Sequence, residues 1–173
     1  MVITLEELQL HRISASKTYP IGALDYHGAE FHQVGDLKLD VVAELIGAEI
    51  HVRGHFGTLV ECTCDRCLGT VQIPVERDLD LFYRPMKEIA REEEIEISED
   101  ESGIAFYPEE GIELADVVSE QVILAMPMKV VCQPDYCKGL CPVCGANRNL
   151  EPCNCPKPAS ETRSNSPFSS LLG

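Results

Sequence analysis

The chain predicts an α+β fold: an antiparallel β-meander packed with one amphipathic helix, followed by a cysteine-rich segment. Three observations carry this expectation. Leu37, Leu39, Val41, Ala43 and Leu45 share one parity, with Lys38, Asp40 and Glu44 on the other, which is the period of a half-buried strand. Leu114, Val117, Val118, Gln121, Val122 and Ala125 recur at helical spacing. The nine cysteines fall in two tight clusters, CTCDRC at 62–67 and CQPDYCKGLCPVCGANRNLEPCNC at 132–155.

Taken in order, Val2 to Leu10 reads as a short strand leading into a helical turn, because Thr4-Leu-Glu-Glu has the form of a capping box. Tyr19 to Gly35, with Pro, Gly and mixed polar residues, predicts a strand and loops. After the Leu37 strand, Gly47-Ala48 marks a turn. Glu49 to Glu61 then reads as a second strand, interrupted by Gly54 and Gly57. Val71, Ile73 and Val75 open a third, continuing through Leu79, Leu81 and Tyr83. Short connections imply antiparallel neighbours, with the CDRC segment at a hairpin tip. The helix is expected over Ile112 to Met126, stopped near Pro127.

These elements divide the chain into a main domain over 1–128, a cysteine-rich segment over 129–156 and a low-complexity tail over 157–173 rich in Pro, Ser and Asn. An acidic insertion at 88–111 interrupts the main domain. Residues 88–116 hold twelve acids against one base, Arg91, and Glu88 to Glu101 lacks an apolar face, so a solvated loop is expected there.

Composition narrows the function classes. With 173 residues and a net charge of −15, the chain opposes non-specific attraction to nucleic acid or anionic membrane. Met1 to Leu10 carries two acids and no basic residue, unlike a signal peptide. Val122 to Met128, the longest strongly apolar stretch, is far short of the roughly 20 residues that span a bilayer. A cytoplasmic location follows, where thiols stay reduced. An odd cysteine count also argues against a complete disulfide framework. There is no GxSxG, no Walker loop and no HExxH, so no enzyme activity and no small-molecule substrate are expected.

The cysteines carry the chemistry. Tetrahedral zinc takes four thiolates at about 2.3 Å, and two-residue loops bring paired sulfurs within that reach. Cys141-Pro-Val-Cys144-Gly145 has the form of a zinc knuckle, and Cys153-Asn-Cys155 lies close enough to complete its site. Cys64 and Cys67 form a pair without a local partner, as do Cys132 and Cys137. If the helix returns the chain to the hairpin tip, these four share a second zinc. The alternative places Cys137 with Cys141 and Cys144 in a single site. Cys62 is left over and reads as a small buried hydrophobe. His51 and His55 share a strand face and are not assigned to metal. A redox dithiol at CDRC lacks the helix N-terminus that depresses such thiols, yet a thiol redox or zinc-responsive regulator stands as the second functional reading.

Cys64-Asp-Arg-Cys67-Leu68 after a strand is followed by Glu113-Leu-Ala-Asp-Val-Val-Ser-Glu-Gln-Val-Ile-Leu-Ala-Met-Pro, then Cys132, Cys137-Lys-Gly-Leu-Cys-Pro-Val-Cys-Gly145-Ala-Asn, a Cys-x-Cys pair and Pro167-Phe168. In this order the text resembles the YceD family of large ribosomal RNA subunit accumulation proteins, over roughly residues 35–173. Two positions depart from the family pattern: Asn147-Arg148-Asn149 stands where Asn-Leu-Asn is usual, and Ser166-Pro167-Phe168 replaces an Asp-Pro-Arg type of segment. The resemblance implies a ribosome biogenesis factor supporting accumulation of large-subunit (23S) rRNA, through that RNA or a basic ribosomal protein. Arg66, Lys129, Lys138 and Arg148 are the candidate phosphate contacts.

Overall fold

The structure, a computed structural model, describes residues 1–86, 104–108 and 111–156. The expectations for Glu88 to Glu101 and for the 157–173 tail lie outside these residues. The chain divides into two units, one formed by Met1–Thr63 with Thr70–Val130, the other by Cys64–Gly69 with the chain from Val131 onward. It is an α+β protein, with mostly strands and few helices.

In the first unit, alternating apolar residues build the three central strands. They are β4 (Leu37–Ile46), β5 (Glu49–Thr63) and β6 (Thr70–Pro85). β4 pairs antiparallel with β5, Leu39 opposite Phe56, and β5 pairs antiparallel with β6, Val60 opposite Ile73. Gly54 does not break β5. A Cβ there would lie 2.1 Å from the Asp40 carbonyl oxygen, so only glycine permits this approach of β4 to β5.

Other strands complete the sheet. β2 (Ile13–Tyr19) pairs antiparallel with β4, and β3 (Phe31–Gln33) pairs with β5 beyond the end of β4. β2 is amphiphilic only weakly, with Ser14, Ser16 and Thr18 between small or half-buried residues, and no element is expected there from the sequence. β7 (Ile104–Tyr107) pairs parallel with β6. It lies inside the span read as an acidic insertion, and a parallel partner adds to the expected all-antiparallel arrangement.

The N-terminal segment begins with β1 (Val2–Ile3), followed by helix α1 (Leu5–Leu10). Thr4 Oγ1 accepts from the Glu7 N–H at 3.3 Å while the Glu7 carboxylate accepts from the Thr4 N–H at 3.2 Å. This reciprocal capping box satisfies two donors that a helix start otherwise leaves unpaired. The second helix, α2, spans Leu114–Ala125. It is shorter at its start than the periodicity suggested, because Ile112–Glu113 forms β8 and pairs with β1. The Leu114 N–H then donates to the Met1 carbonyl at 3.1 Å, a contact 113 positions apart that no local pattern encodes.

Leu114, Val117, Val118 and Val122 of α2 join Leu37, Leu39, Phe56 and Val60 in one buried apolar cluster. Cys62 belongs to that cluster as well, its sulfur 3.7 Å from the Val71 carbonyl oxygen. Among the described residues no helix is long and apolar enough to cross a membrane.

Candidate metal centre

β5 and β6 are joined by Cys64–Gly69, which belongs to the second unit. Within this turn the Leu68 N–H donates to the Cys64 carbonyl at 2.9 Å, and the Cys64 N–H donates to the Gly69 carbonyl at 2.8 Å. The Cys141-Pro-Val-Cys144-Gly145 segment repeats the pattern. The Gly145 N–H donates to the Cys141 carbonyl at 2.9 Å, and the Cys141 N–H to the Ala146 carbonyl at 2.8 Å. Both turns need a left-handed residue just after the second cysteine, with φ of +56° at Leu68 and +73° at Gly145. Glycine adopts this conformation freely, whereas a leucine there is strained. The two segments thus share one knuckle geometry, with leucine in one and glycine in the other at the left-handed position.

Each knuckle presents two sulfurs, and each meets a second pair. Cys64 and Cys67 gather with Cys132 and Cys137; Cys141 and Cys144 gather with Cys153 and Cys155. In each group every sulfur lies within 4.8 Å of the others. The Cys64 and Cys137 sulfurs are 3.9 Å apart, and those of Cys67 and Cys132 are 3.7 Å apart. In the other group, Cys144 to Cys153 is 3.5 Å and Cys141 to Cys153 is 3.3 Å. Four thiolates at about 2.3 Å from a tetrahedral ion stand roughly 3.8 Å from one another. Both groups therefore fit a metal of that geometry and could hold one. Cys137 sits with Cys64 rather than with Cys141 and Cys144, which leaves the single-site alternative without geometric support. No third group of potential ligands occurs among the described residues. His51 instead faces Asp80 at 2.5 Å, and His55 faces Asp78 at 2.9 Å.

The electrostatics of each group are uneven. Burial raises the Cys64 thiol, but the backbone amides of Cys132, Arg66 and Cys67 outweigh it and hold the group at about 6. The Cys141 thiol is likewise lowered to about 6, chiefly by the amides of Cys144 and Val143. Cys132, which hydrogen-bonds to Cys137 and is partly desolvated, rises to about 12. Cys155 rises to about 12 through its contacts with Cys153 and Cys144. The first group thus holds two lowered thiols, Cys64 and Cys137, against the raised Cys132, and the second holds the lowered Cys141 against the raised Cys153 and Cys155. Full deprotonation of four crowded sulfurs requires a cation among them.

Side chains between the cysteines support this arrangement. Asn147 Nδ2 donates to the Cys67 carbonyl at 2.9 Å, and Asn149 Nδ2 donates to the Cys137 sulfur at 3.6 Å. The sequence marks Asn147 and Asn149 as part of a family segment without assigning either a role. Their signal lay in the short polar run that follows the knuckle. The candidate phosphate contacts divide. Arg66, Lys138 and Arg148 are exposed in the second unit around the turn at 133–139, where Arg66 Nη1 donates to the Pro134 carbonyl at 3.4 Å and the Arg148 guanidinium to the Lys138 carbonyl. Tyr136 stands exposed on the same turn. Lys129 belongs to the first unit.

Comparison with known proteins extends these observations. The chain is 36% identical over 117 residues to proteins described only as uncharacterized from Mycobacterium bovis and from two strains of Mycobacterium tuberculosis. The match takes in 67% of this chain and 53% of each relative, so the chain spans about half the length of the curated relatives it matches. No solved structure matches. Residues 52–173, which include both knuckles and all eight clustered cysteines, match the family described as large ribosomal RNA subunit accumulation protein YceD. The chain belongs to the YceD family.

Proposed function

We propose that this protein is a non-catalytic, zinc-binding ribosome biogenesis factor of the cytoplasm that supports accumulation of large-subunit 23S rRNA. The observation that carries the proposal is the pair of four-sulfur groups at tetrahedral spacing inside the region that matches the family. Closed cysteine quartets leave no open coordination position, so the zinc ions are structural and not catalytic. Cys64, Cys67, Cys132 and Cys137 hold one ion; Cys141, Cys144, Cys153 and Cys155 hold the other. Eight thiols kept for metal belong in a reducing compartment, which supports the cytoplasmic placement.

Charge supports a divided contact surface. The second unit holds five of the 14 basic residues but only four of the 29 acids. Its Arg66, Lys138 and Arg148, with Tyr136 among them, suit a short unpaired stretch of ribosomal RNA, the cations meeting phosphates and the ring stacking on a base. Lys129 belongs to the first unit, which holds most of the acids. That acidic unit suits a basic ribosomal protein and repels phosphate.

The test is sedimentation of the zinc-loaded protein with large-subunit precursors, wild type against Arg66→Ala/Lys138→Ala/Arg148→Ala. Co-migration that weakens in the triple variant and with rising salt is the expected result. Binding indifferent to salt and to these residues would rule out the phosphate contacts. The depressed Cys64 thiol favours one other reading, a redox or zinc-responsive switch. A reversible Cys64–Cys67 disulfide that tracks activity, at unchanged fold, would establish it in place of structural zinc.

A further inference from the structure

The loop that links the ligands of the second quartet also grips the first. Cys144 and Cys153 are separated by eight residues, Gly145 to Pro152. Within that span Asn147 donates to the Cys67 carbonyl at 2.9 Å, and Asn149 Nδ2 reaches the Cys137 sulfur at 3.6 Å. Asn149 Oδ1 accepts from the Lys138 N–H at 2.8 Å, and the Arg148 N–H donates to the Gly139 carbonyl at 3.0 Å. The two amides are locked together, since Asn147 Oδ1 accepts from both the backbone N–H and Nδ2 of Asn149 at 3.0 Å. Two ligands of the first quartet, Cys67 and Cys137, are therefore oriented by side chains whose own backbone is tethered at both ends by ligands of the second.

We infer that Asn147 and Asn149 are positioning residues for the Cys64 quartet, and that the two quartets take up metal cooperatively through this loop. The inference rests on the proposed metal sites. An ion at Cys141, Cys144, Cys153 and Cys155 closes the loop and presents both amides in place; without it, the Cys64 quartet must order them itself. Groups that orient metal ligands from behind typically change affinity by about 10–100-fold. Linkage makes the effect reciprocal, so an ion at the Cys64 quartet strengthens the other site by the same factor.

Cobalt(II) is the probe, titrated into metal-stripped, reduced full-length protein against a competing chelator. Its thiolate charge-transfer bands report filled quartets. The forms compared are wild type, Cys153→Ser/Cys155→Ser, Asn147→Ala/Asn149→Ala and the combination of all four changes, each checked for an intact sheet by circular dichroism. The serine pair is expected to weaken the Cys64 quartet about tenfold. The alanine pair is expected to do the same while leaving all eight cysteines in place. The combination is expected to fall less than about twofold further, because both changes remove one coupling. An unchanged Cys64 quartet in the serine pair, or losses that multiply in the combination, overturns the inference. If the serine pair does not fold, the alanine pair decides alone, and wild-type affinity at its Cys64 quartet overturns the inference. Wild-type protein that binds no cobalt at either quartet overturns the zinc reading itself, an outcome distinct from two independent sites.

Discussion

At the scale of the residue, the chemistry turns on how backbone amides treat particular sulfurs. Cys64 and Cys141 occupy the first position of their knuckles, where amide N–H groups converge, and both are lowered from 9.0 to about 6. A depressed thiol stabilises the folded state fully above its ordinary value and loses that contribution as pH falls through the depressed one. Protons also compete with metal for every thiolate. Zinc release followed with a chromophoric chelator is therefore expected only below about pH 6, since bound metal keeps each thiolate ionised past its metal-free value. Release already complete near neutral pH would contradict the assigned environment. Zinc analysis is expected to find about two ions per chain, and about one in Cys64→Ser and in Cys141→Ser, as each substitution opens one four-ligand site. Cys62→Ser, outside both quartets, should keep both ions. The cysteine spacing allows this grouping but equally allows Cys137 to join Cys141 and Cys144. The role of the asparagines behind the sulfurs was not legible, because a side-chain hydrogen bond to a distant ligand leaves no periodic trace in the chain.

At the scale of the element, the central strands follow from alternation, and their inward residues define where substitutions are costly. Phe56 is fully buried in β5, so Phe56→Ala should destabilise the sheet unit by about 3–5 kcal/mol, as measured by urea unfolding. The α1 cap was equally legible: Thr4 and Glu7 make the reciprocal bonds that a capping box implies, since its partners lie within one helical turn. The knuckles add a contrast. Leu68 holds φ of +56° with its side chain mostly exposed, so glycine there sacrifices little burial and relieves left-handed strain. Leu68→Gly is expected to stabilise the metal-loaded protein by about 1 kcal/mol in thermal unfolding; a loss of stability would show that the leucine packs favourably. The short strand expected at the N-terminus is present as β1, whereas β2 and β8 carry no clear strand signal, for a shared reason. Each is short or weakly alternating, and its pairing depends on a partner well away in the chain.

At the scale of the whole molecule, charge is distributed unevenly between the two units. The acids concentrate in the first, including the run from Glu92 to Glu101, while the second holds slightly more bases than acids. If the second unit meets phosphate, acids elsewhere in the same chain oppose it over roughly a Debye length. Replacing the glutamates between Glu92 and Glu101 by glutamine should strengthen binding to ribosomal RNA at low salt and matter little at high salt. Equal effects at both ionic strengths would count against phosphate contact.

The sequence by itself determined the α+β class, the three central strands, the capped first helix, the apolar face of α2 and the family. These rest on local period, caps and motif order, which are written in neighbouring residues. The tertiary structure decided which sulfurs meet. Cys64 and Cys67 are 65 or more positions from Cys132 and Cys137, and spacing alone could not choose Cys137's partners. It also decided that β1 and β8 shorten the start of α2, that β7 runs parallel to β6, and that the loop of one quartet buttresses the other. Each of these is a contact between segments remote in the chain. Its energy comes from geometry that forms only when the chain has folded.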